Sequence, residues 1–381
     1  MKKTDLAIVN RSFWPKSQVI GEGLLQFAEK TAKQHSVCVI TQAEDDFSEL
    51  LASHGRGQGV HIRACKAYTT SKSSLVMRLV EAIYFMFWTF ISLIRAKPAH
   101  VYVSTNPPVV VPFIVALYCR LFKASYVYHL QDIHPEAANI VIPLNRLIYR
   151  VLKRIDNYTL RHAKSIITLS EDMKSYIQQR SDTTSPIFLL DNPSFETTPH
   201  PIEKRTKDIV FCGNAGRLQL IPLLTAAIED YIKNGGKLRF TFAGGGLYLP
   251  EIKALAEKYH QVDYLGFIPA LDAAELIRNH RWALLPINDE VTKYAFPSKS
   301  SGYALSGSAI LAICGINTSV ARWIKKHQVG IVCKPEKLAL IECFFSLENK
   351  EISDFTLDNT FRDKLKISHF AEKLQNLSLF N

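Results

Sequence analysis

The sequence predicts an α/β protein of two tandem Rossmann-like domains, each a doubly wound parallel sheet. Three observations predict it. Short runs that are apolar at every position alternate with helix-patterned stretches. The alternation breaks once, at a polar, proline-rich stretch near residue 195, and then restarts. The chain has 381 residues, 47% of them hydrophobic. That is too long for one ordinary core and suits two domains of roughly 150–200 residues each.

The elements follow in order. Leu6-Ala7-Ile8-Val9 reads as a buried strand, followed by a loop and a helical pattern through Leu24, Leu25, Phe27 and Ala28. Further strands are predicted at 37–40, 101–103, 125–128 and 166–169. Runs apolar on both sides of a strand need cover on both faces, which is the mark of a parallel sheet. Asp191-Asn192-Pro193-Ser194 through Pro199-His200-Pro201 reads as a linker. The second series has strands at 209–212, 238–243, 283–286, 309–313 and 330–333. The expected division is 1–195 for the first domain, 196–207 for the linker and 208–365 for the second domain. Residues 366–381 read as a C-terminal helix able to pack back on the first domain.

The net charge is +11, and residues 60–164 hold fourteen Lys or Arg against four acids. A basic surface calls for an anionic partner, either nucleic acid or an anionic membrane leaflet. No nucleic-acid motif accompanies the charge, so no nucleic-acid partner is expected. The seven cysteines are odd in number and form no CxxC pair. They read as buried free thiols of a reducing compartment, hence a cytoplasmic protein. No secretory signal is expected, because the first apolar run is too short for one. Residues 82–94 and 109–119 are uncharged or nearly so, but shorter than the roughly 20 residues that span a bilayer. They read as buried helices. The other reading lays a 75–96 helix in the membrane interface, with Arg78, Arg95 and Lys97 at the headgroups.

Several loops carry candidate chemistry. Gly21-Glu22-Gly23 precedes a helix, where glycine backbone and helix amides favour an anion; a plain turn is the alternative. His129-Leu130-Gln131-Asp132-Ile133-His134-Pro135-Glu136 follows a strand, where doubly wound sheets bind ligands. Asp132 or His134 there could orient an acceptor hydroxyl or stabilise charge, or Asp132 could cap the next helix. Gly213, Asn214 and Gly216 allow close approach of a ligand, and Arg217 offers a bidentate phosphate donor or is a solvent-facing arginine at a helix start. Gly244 and Gly245 can open amides to an anion or simply make a tight turn, and residues 262–266 read as a short strand and turn that could border a nucleobase pocket. Pro297, Ser298 and Lys299 begin a helix, in a stretch that runs through Ser306 and Gly307 to the strand at 309–313. A lysine at the positive end of a helix dipole is unfavourable unless a diphosphate sits beside it. The small Ser306 and Gly307 would let backbone approach the ligand. His and Cys show no metal-ligand spacing, and nucleophile, zinc and P-loop motifs are absent from the sequence, so no metal or cofactor is expected.

Six stretches in order resemble one family. They are Phe13-Trp14-Pro15, Ser104-Thr105-Asn106-Pro107-Pro108, Gln131-Asp132-Ile133-His134-Pro135-Glu136, Asp191-Asn192-Pro193, Gly213-Asn214-Ala215-Gly216, and Pro297-Ser298-Lys299 with Tyr303-Ala304 and Gly307. Their order and separation, over about residues 5–345, resemble the GT-B retaining glycosyltransferases of family 4, in the branch that builds bacterial surface polysaccharides. The resemblance implies two domains facing across a cleft. It implies a nucleotide diphosphate sugar donor, usually UDP-linked, held by the second domain. Arg217 and Lys299 match the side chains that neutralise the leaving group without a metal. It also implies a lipid-linked or saccharide acceptor on the first domain, and a peripheral place on the inner face of the cell membrane. The family's ribose-binding Glu is replaced by Gly302, and Tyr294 replaces an earlier Glu; Ser300 or Ser301 are the candidate substitutes. Two other functions share this fold, a weak or inactive membrane-associated partner of another transferase and a UDP-sugar 2-epimerase. The second would need a fuller set of acid and base carboxylates.

Overall fold

The computed structural model describes residues 4–43, 47–69, 73–196, 205–352, 355 and 358–379. Most of the expected 196–207 linker, residues 197–204, lies outside the described residues, as do the last two residues of the expected C-terminal helix. The chain forms two compact units, Met1–Asn192 with Ile367–Asn381, and Pro193–Lys366.

The first unit runs β1 (Leu6–Val9), α1 (Ile20–Ala32), β2 (Val37–Ala43), α2 (Phe47–Ser53), β3 (Val60–Lys66), α3 (Leu75–Ala96), β4 (His100–Ser104), α4 (Val110–Phe122), β5 (Ser125–His129), α5 (Glu136–Val141), α6 (Arg146–His162), β6 (Ser165–Thr168), α7 (Glu171–Ser181) and β7 (Ile187–Leu189). Its seven-stranded sheet has the order β3-β2-β1-β4-β5-β6-β7, with every pairing parallel. The second unit runs β8 (Lys207–Cys212), α8 (Ile221–Lys233), β9 (Phe240–Ala243), α9 (Leu249–Lys258), β10 (Val262–Tyr264), α10 (Ala270–Arg278), β11 (His280–Pro286), α11 (Lys299–Ser306), β12 (Ala309–Ile313), α12 (Ser319–His327), β13 (Gly330–Cys333), α13 (Lys337–Glu348) and α14 (Asn359–Lys364). Its six strands, also all parallel, have the order β10-β9-β8-β11-β12-β13. The chain then returns as α15 (Ile367–Leu379), which packs on α1 in the first unit.

Strand order explains why the apolar runs are continuous. Central strands such as β1 and β12 are buried at every position, because helices cover both faces. In the first core Leu6, Ile8, Phe27 and Tyr102 meet Phe370 of α15. In the second, Phe211, Tyr231, Phe240 and Phe344 pack together. Each order reverses once, between β1 and β4 and between β8 and β11. Those reversals are the switch points where parallel sheets open a crevice at the strands' carboxyl ends. β3 and β7 were not predicted. Both are edge strands, and the polar, half-exposed sequence of β3 (VHIRACK) has no buried run to detect.

The buried-helix reading of residues 82–94 is corrected. α3 has 22 residues and is long and apolar enough to cross a membrane by length and composition. Only 28% of its apolar window is buried. Glu81, Phe85, Thr89, Leu93 and Ala96 form a buried row that ties it to the unit. Val76, Val80, Ile83, Phe87, Ile91 and Ile94 form an exposed apolar row on the other side. The helix therefore lies along the sheet with one apolar face outward. All seven cysteines are free.

Candidate active site

In the second unit, the loop after β8 and the start of α11 flank the switch point. Backbone bonds join the loops there: the Asn288 amide donates to the Leu218 carbonyl at 2.9 Å. Lys299 is the first residue of α11. Its Nζ lies 4.3 Å from the centroid of the Phe211 ring and donates to the Asn214 carbonyl at 3.4 Å. No carboxylate among the described residues pairs with it. Burial lowers its pKa to about 8, opposed only by nearby Cys212. Tyr303, one turn along the helix and buried, fixes this geometry. Its hydroxyl donates to the Cys212 carbonyl and accepts from the Cys212 amide, both at 3.2 Å. Tyr303 was not among the predicted site residues, although its i+4 spacing from Lys299 puts both on one helix face.

The glycine expectations are revised in their cause. Gly244 has φ +119°, and a Cβ there would fall 2.1 Å from the Gly213 carbonyl oxygen. The loops after β8 and β9 thus pack backbone on backbone. The Gly213 amide donates to Ala243 O, the Gly244 amide to Gly266 O, and the Gly216 amide to Gln219 Oε1. Those three amides are not open to an anion. Gly245 is different, since a Cβ there would meet nothing within 4 Å. Asn214 and Arg217 are exposed on the β8 loop, and Ser298 is exposed beside half-buried Pro297 at the α11 start.

Ser306 and Gly307 belong to the other end of the helix. Ser306 is buried, and Gly307 is its left-handed C-cap, whose carbonyl accepts from Arg205. Seven residues of rise separate them from Lys299, about 10 Å. They shape the helix end and do not sit beside the lysine. The serine substitutes for the ribose clamp are also revised. Ser300 and Ser301 are buried, and Ser300 Oγ donates to the Pro297 carbonyl at 2.8 Å. At Gly302 a Cβ would meet only Ser194 Oγ, at 3.2 Å.

In the first unit, the loops after β1, β4 and β5 meet at the carboxyl edge of the sheet. Ser104 Oγ donates to Asn10 Oδ1, and the Arg11 amide to Asn106 O at 2.8 Å. The Gln131 amide donates to Thr105 Oγ1 at 3.3 Å. Asp132 and His134 stand on the turn that follows β5. Asp132 does not cap α5, whose N-cap is Pro135 with no side-chain bond. Burial raises Asp132 to about 6 and lowers His134 to about 4, the latter against the pull of Glu136. Near neutral pH this pairs an ionised carboxylate of raised basicity with a neutral imidazole, a combination suited to accepting or orienting a proton.

Beneath that turn is a cluster the sequence reading missed. Arg180 of α7 donates to Glu136 Oε2 at 2.8 Å, to the His134 carbonyl at 3.0 Å, and to Asp156 of α6. Tyr128 and Tyr176 donate to Asp156 and Glu136, each at 2.8 Å. Arg180, Asp156 and Glu136 are all nearly inaccessible to solvent. The turn is thus held from below by a buried guanidinium. The Gly21 expectation is corrected here too. Gly21 lies inside α1, its amide donates to Ser17 Oγ at 3.0 Å, and a Cβ would strike the Phe13–Trp14 backbone at 2.7 Å. Close packing of the 13–17 loop is enough to require that glycine.

Comparison with known proteins bears on the fold. Residues 20–186 match the glycosyl transferase 4-like domain. The probable glycosyltransferase WbjE of Pseudomonas aeruginosa is 24% identical over 287 residues, 70% of each chain. Anabaena Alr3699/HepE, solved in complex with UDP, is 15% identical with a TM-score of 0.58 over 98% of this chain and 95% of that one. WaaG, a glycosyltransferase involved in lipopolysaccharide biosynthesis, is 13% identical with a TM-score of 0.62 over 99% and 100%. With its two doubly wound units and these likenesses, the chain has the GT-B fold and is similar to the family 4 glycosyltransferases.

Proposed function

We propose that the chain moves a sugar, with retention and without a metal, from a UDP-linked donor to a lipid-linked saccharide acceptor in the synthesis of a lipopolysaccharide-type surface polymer, working as a peripheral protein on the cytoplasmic face of the membrane. One observation carries the reading: Lys299, a desolvated lysine at a helix start and at the switch point, with no carboxylate partner among the described residues. Such a group is costly in the free protein and gains most from an anionic ligand. The dianionic diphosphate of a leaving nucleotide meets that need, with Arg217 on the adjacent loop as the second cation. Asp132 and His134 serve the acceptor side. The UDP held by HepE and the lipopolysaccharide role of WaaG support the donor and product classes.

The test is donor turnover by Lys299→Ala. A group aimed at developing leaving-group charge contributes on the order of 10²–10³ in rate. A variant that keeps the wild-type rate removes Lys299 from the mechanism. Gly302 favours one other reading, a non-catalytic partner, because the ribose-binding carboxylate is missing. Calorimetry with UDP separates the two: no heat of binding at millimolar nucleotide supports the partner.

A further inference from the structure

We propose that the N-terminal half of α6 is a bilayer-inserting tip that seats the Asp132–His134 turn at the surface of an anionic membrane. The inference rests on the reading of a lipid-borne acceptor and goes beyond the apolar face of α3. Leu147 and Ile148 are 69% and 54% exposed, and Val151 and Ile142 are exposed beside them. Positions 147, 148 and 151 share one side of α6, and the exposed Arg146, Arg150 and Arg154 make an i, i+4, i+8 row along its flank. Apolar side chains bordered by a basic row are the pattern of a helix held in a membrane interface.

The placement of this tip singles out the membrane as its partner. Right-handed crossovers moving outward from β3 to β6 put α3, α4 and α6 on one face of the sheet, and α4 contacts both of the others. The end of α6 is fixed on α4, where Tyr158 packs on Phe113 at 5.8 Å and its hydroxyl accepts from Arg120 at 3.0 Å. Leu147 is eleven residues from Tyr158, about 16 Å along the helix toward the carboxyl edge of the sheet. Midway, Lys153 Nζ is 3.4 Å from Glu136 Oε1, at the foot of the acceptor-side turn. The apolar tip and the turn therefore share one edge. The surrounding segment, residues 60–164, carries nearly all of the chain's net positive charge. An anionic leaflet complements that charge and also takes up the apolar side chains.

The test uses the full chain and vesicles of phosphatidylcholine, with and without phosphatidylglycerol. Leu147→Ser combined with Ile148→Ser alters two exposed positions. The expected result is at least a tenfold loss of partition onto anionic vesicles, with thermal unfolding and UDP binding unchanged. In a second variant, Leu147→Trp, tryptophan emission shifts to the blue when anionic vesicles are added. Unchanged partition of the double variant, or no spectral shift at position 147, overturns the proposal. So does a change of oligomeric state with unaltered vesicle binding, which would make the tip a contact between copies. Failure of the wild-type chain to bind UDP would instead count against the transferase reading and leave the vesicle result standing.

Discussion

Replacing Arg180 by Leu removes the cation that holds the Asp132–His134 turn. In the native protein its guanidinium bonds Glu136 at 2.8 Å and also pairs with Asp156, with each of the three side chains 1–3% exposed. The leucine leaves two buried carboxylates with one remaining cation, Lys153, which is a third exposed and reaches only Glu136. Breaking a buried pair from one side costs about 3–5 kcal/mol. For a unit of roughly 200 residues, each kcal/mol is worth about 2–4 °C, so the melting temperature should fall by about 6–20 °C. The pH dependence identifies the cause. Burial already pushes Asp156 up, against the pull of Arg180. Without the guanidinium, the folded state keeps a proton on this carboxylate at a pH where the unfolded chain has lost it. Unfolding free energy then rises as pH falls, and the deficit of the variant narrows toward acid. Scanning calorimetry at pH 5 and pH 8 reads both effects. A loss below about 1 kcal/mol, or a deficit equal at the two pH values, would refute the claim that charge burial holds this turn.

Three further outcomes follow from the same geometry. The rate–pH profile of the transferase should rise through about 6, as Asp132 ionises, and fall through about 8, as Lys299 loses its proton. Asp132→Asn should lower the rate and abolish the acid limb alone, which steady-state kinetics across pH 5–9 will show. Gly244→Ala forces a Cβ to 2.1 Å from a backbone carbonyl at φ +119°. It should cost more than about 2 kcal/mol and weaken UDP binding with it, as followed by denaturant titration and calorimetry.

The parts of the fold that were legible in sequence share one physical cause. β1, β8 and β12 are central strands between two helix layers, so burial on both faces wrote an unbroken apolar run into each. β3 and β7 sit at sheet edges and have no such constraint. α3 was misread for a related reason. Its apolar composition suits either a core or a membrane, and only the folded chain shows that one side of it stays outside. Lys299 stood out in the sequence because it breaks a helix-dipole rule. The glycines of the β8 and β9 loops were visible as glycines, but their reason was not, because it depends on two loops touching about thirty residues apart. Arg180 had no local signal at all; its partners Glu136 and Asp156 are brought to it by the sheet.

Burial shifts one group in each unit, in opposite directions. It lifts the Asp132 carboxyl to about 6 and depresses the Lys299 ammonium to about 8, so that each titrates close to neutral pH. Gly302 bears on the second shift. A carboxylate at 302 would lie three residues from Lys299 on α11, close enough to pair with it in the free protein and hold its proton. Glycine there leaves the lysine unpaired until an anion arrives. Gly302→Glu should therefore move the alkaline limb of the rate profile above 8. A new Cβ meets only Ser194 Oγ, at 3.2 Å, so the helix can accept the side chain. Removing a glycine from a helix interior also stabilises it by about 0.5–1 kcal/mol. An alkaline limb that stays at 8 in a folded, UDP-binding Gly302→Glu variant would mean that Lys299 is not the group losing the proton, and the assignment of the leaving-group cation would fall with it.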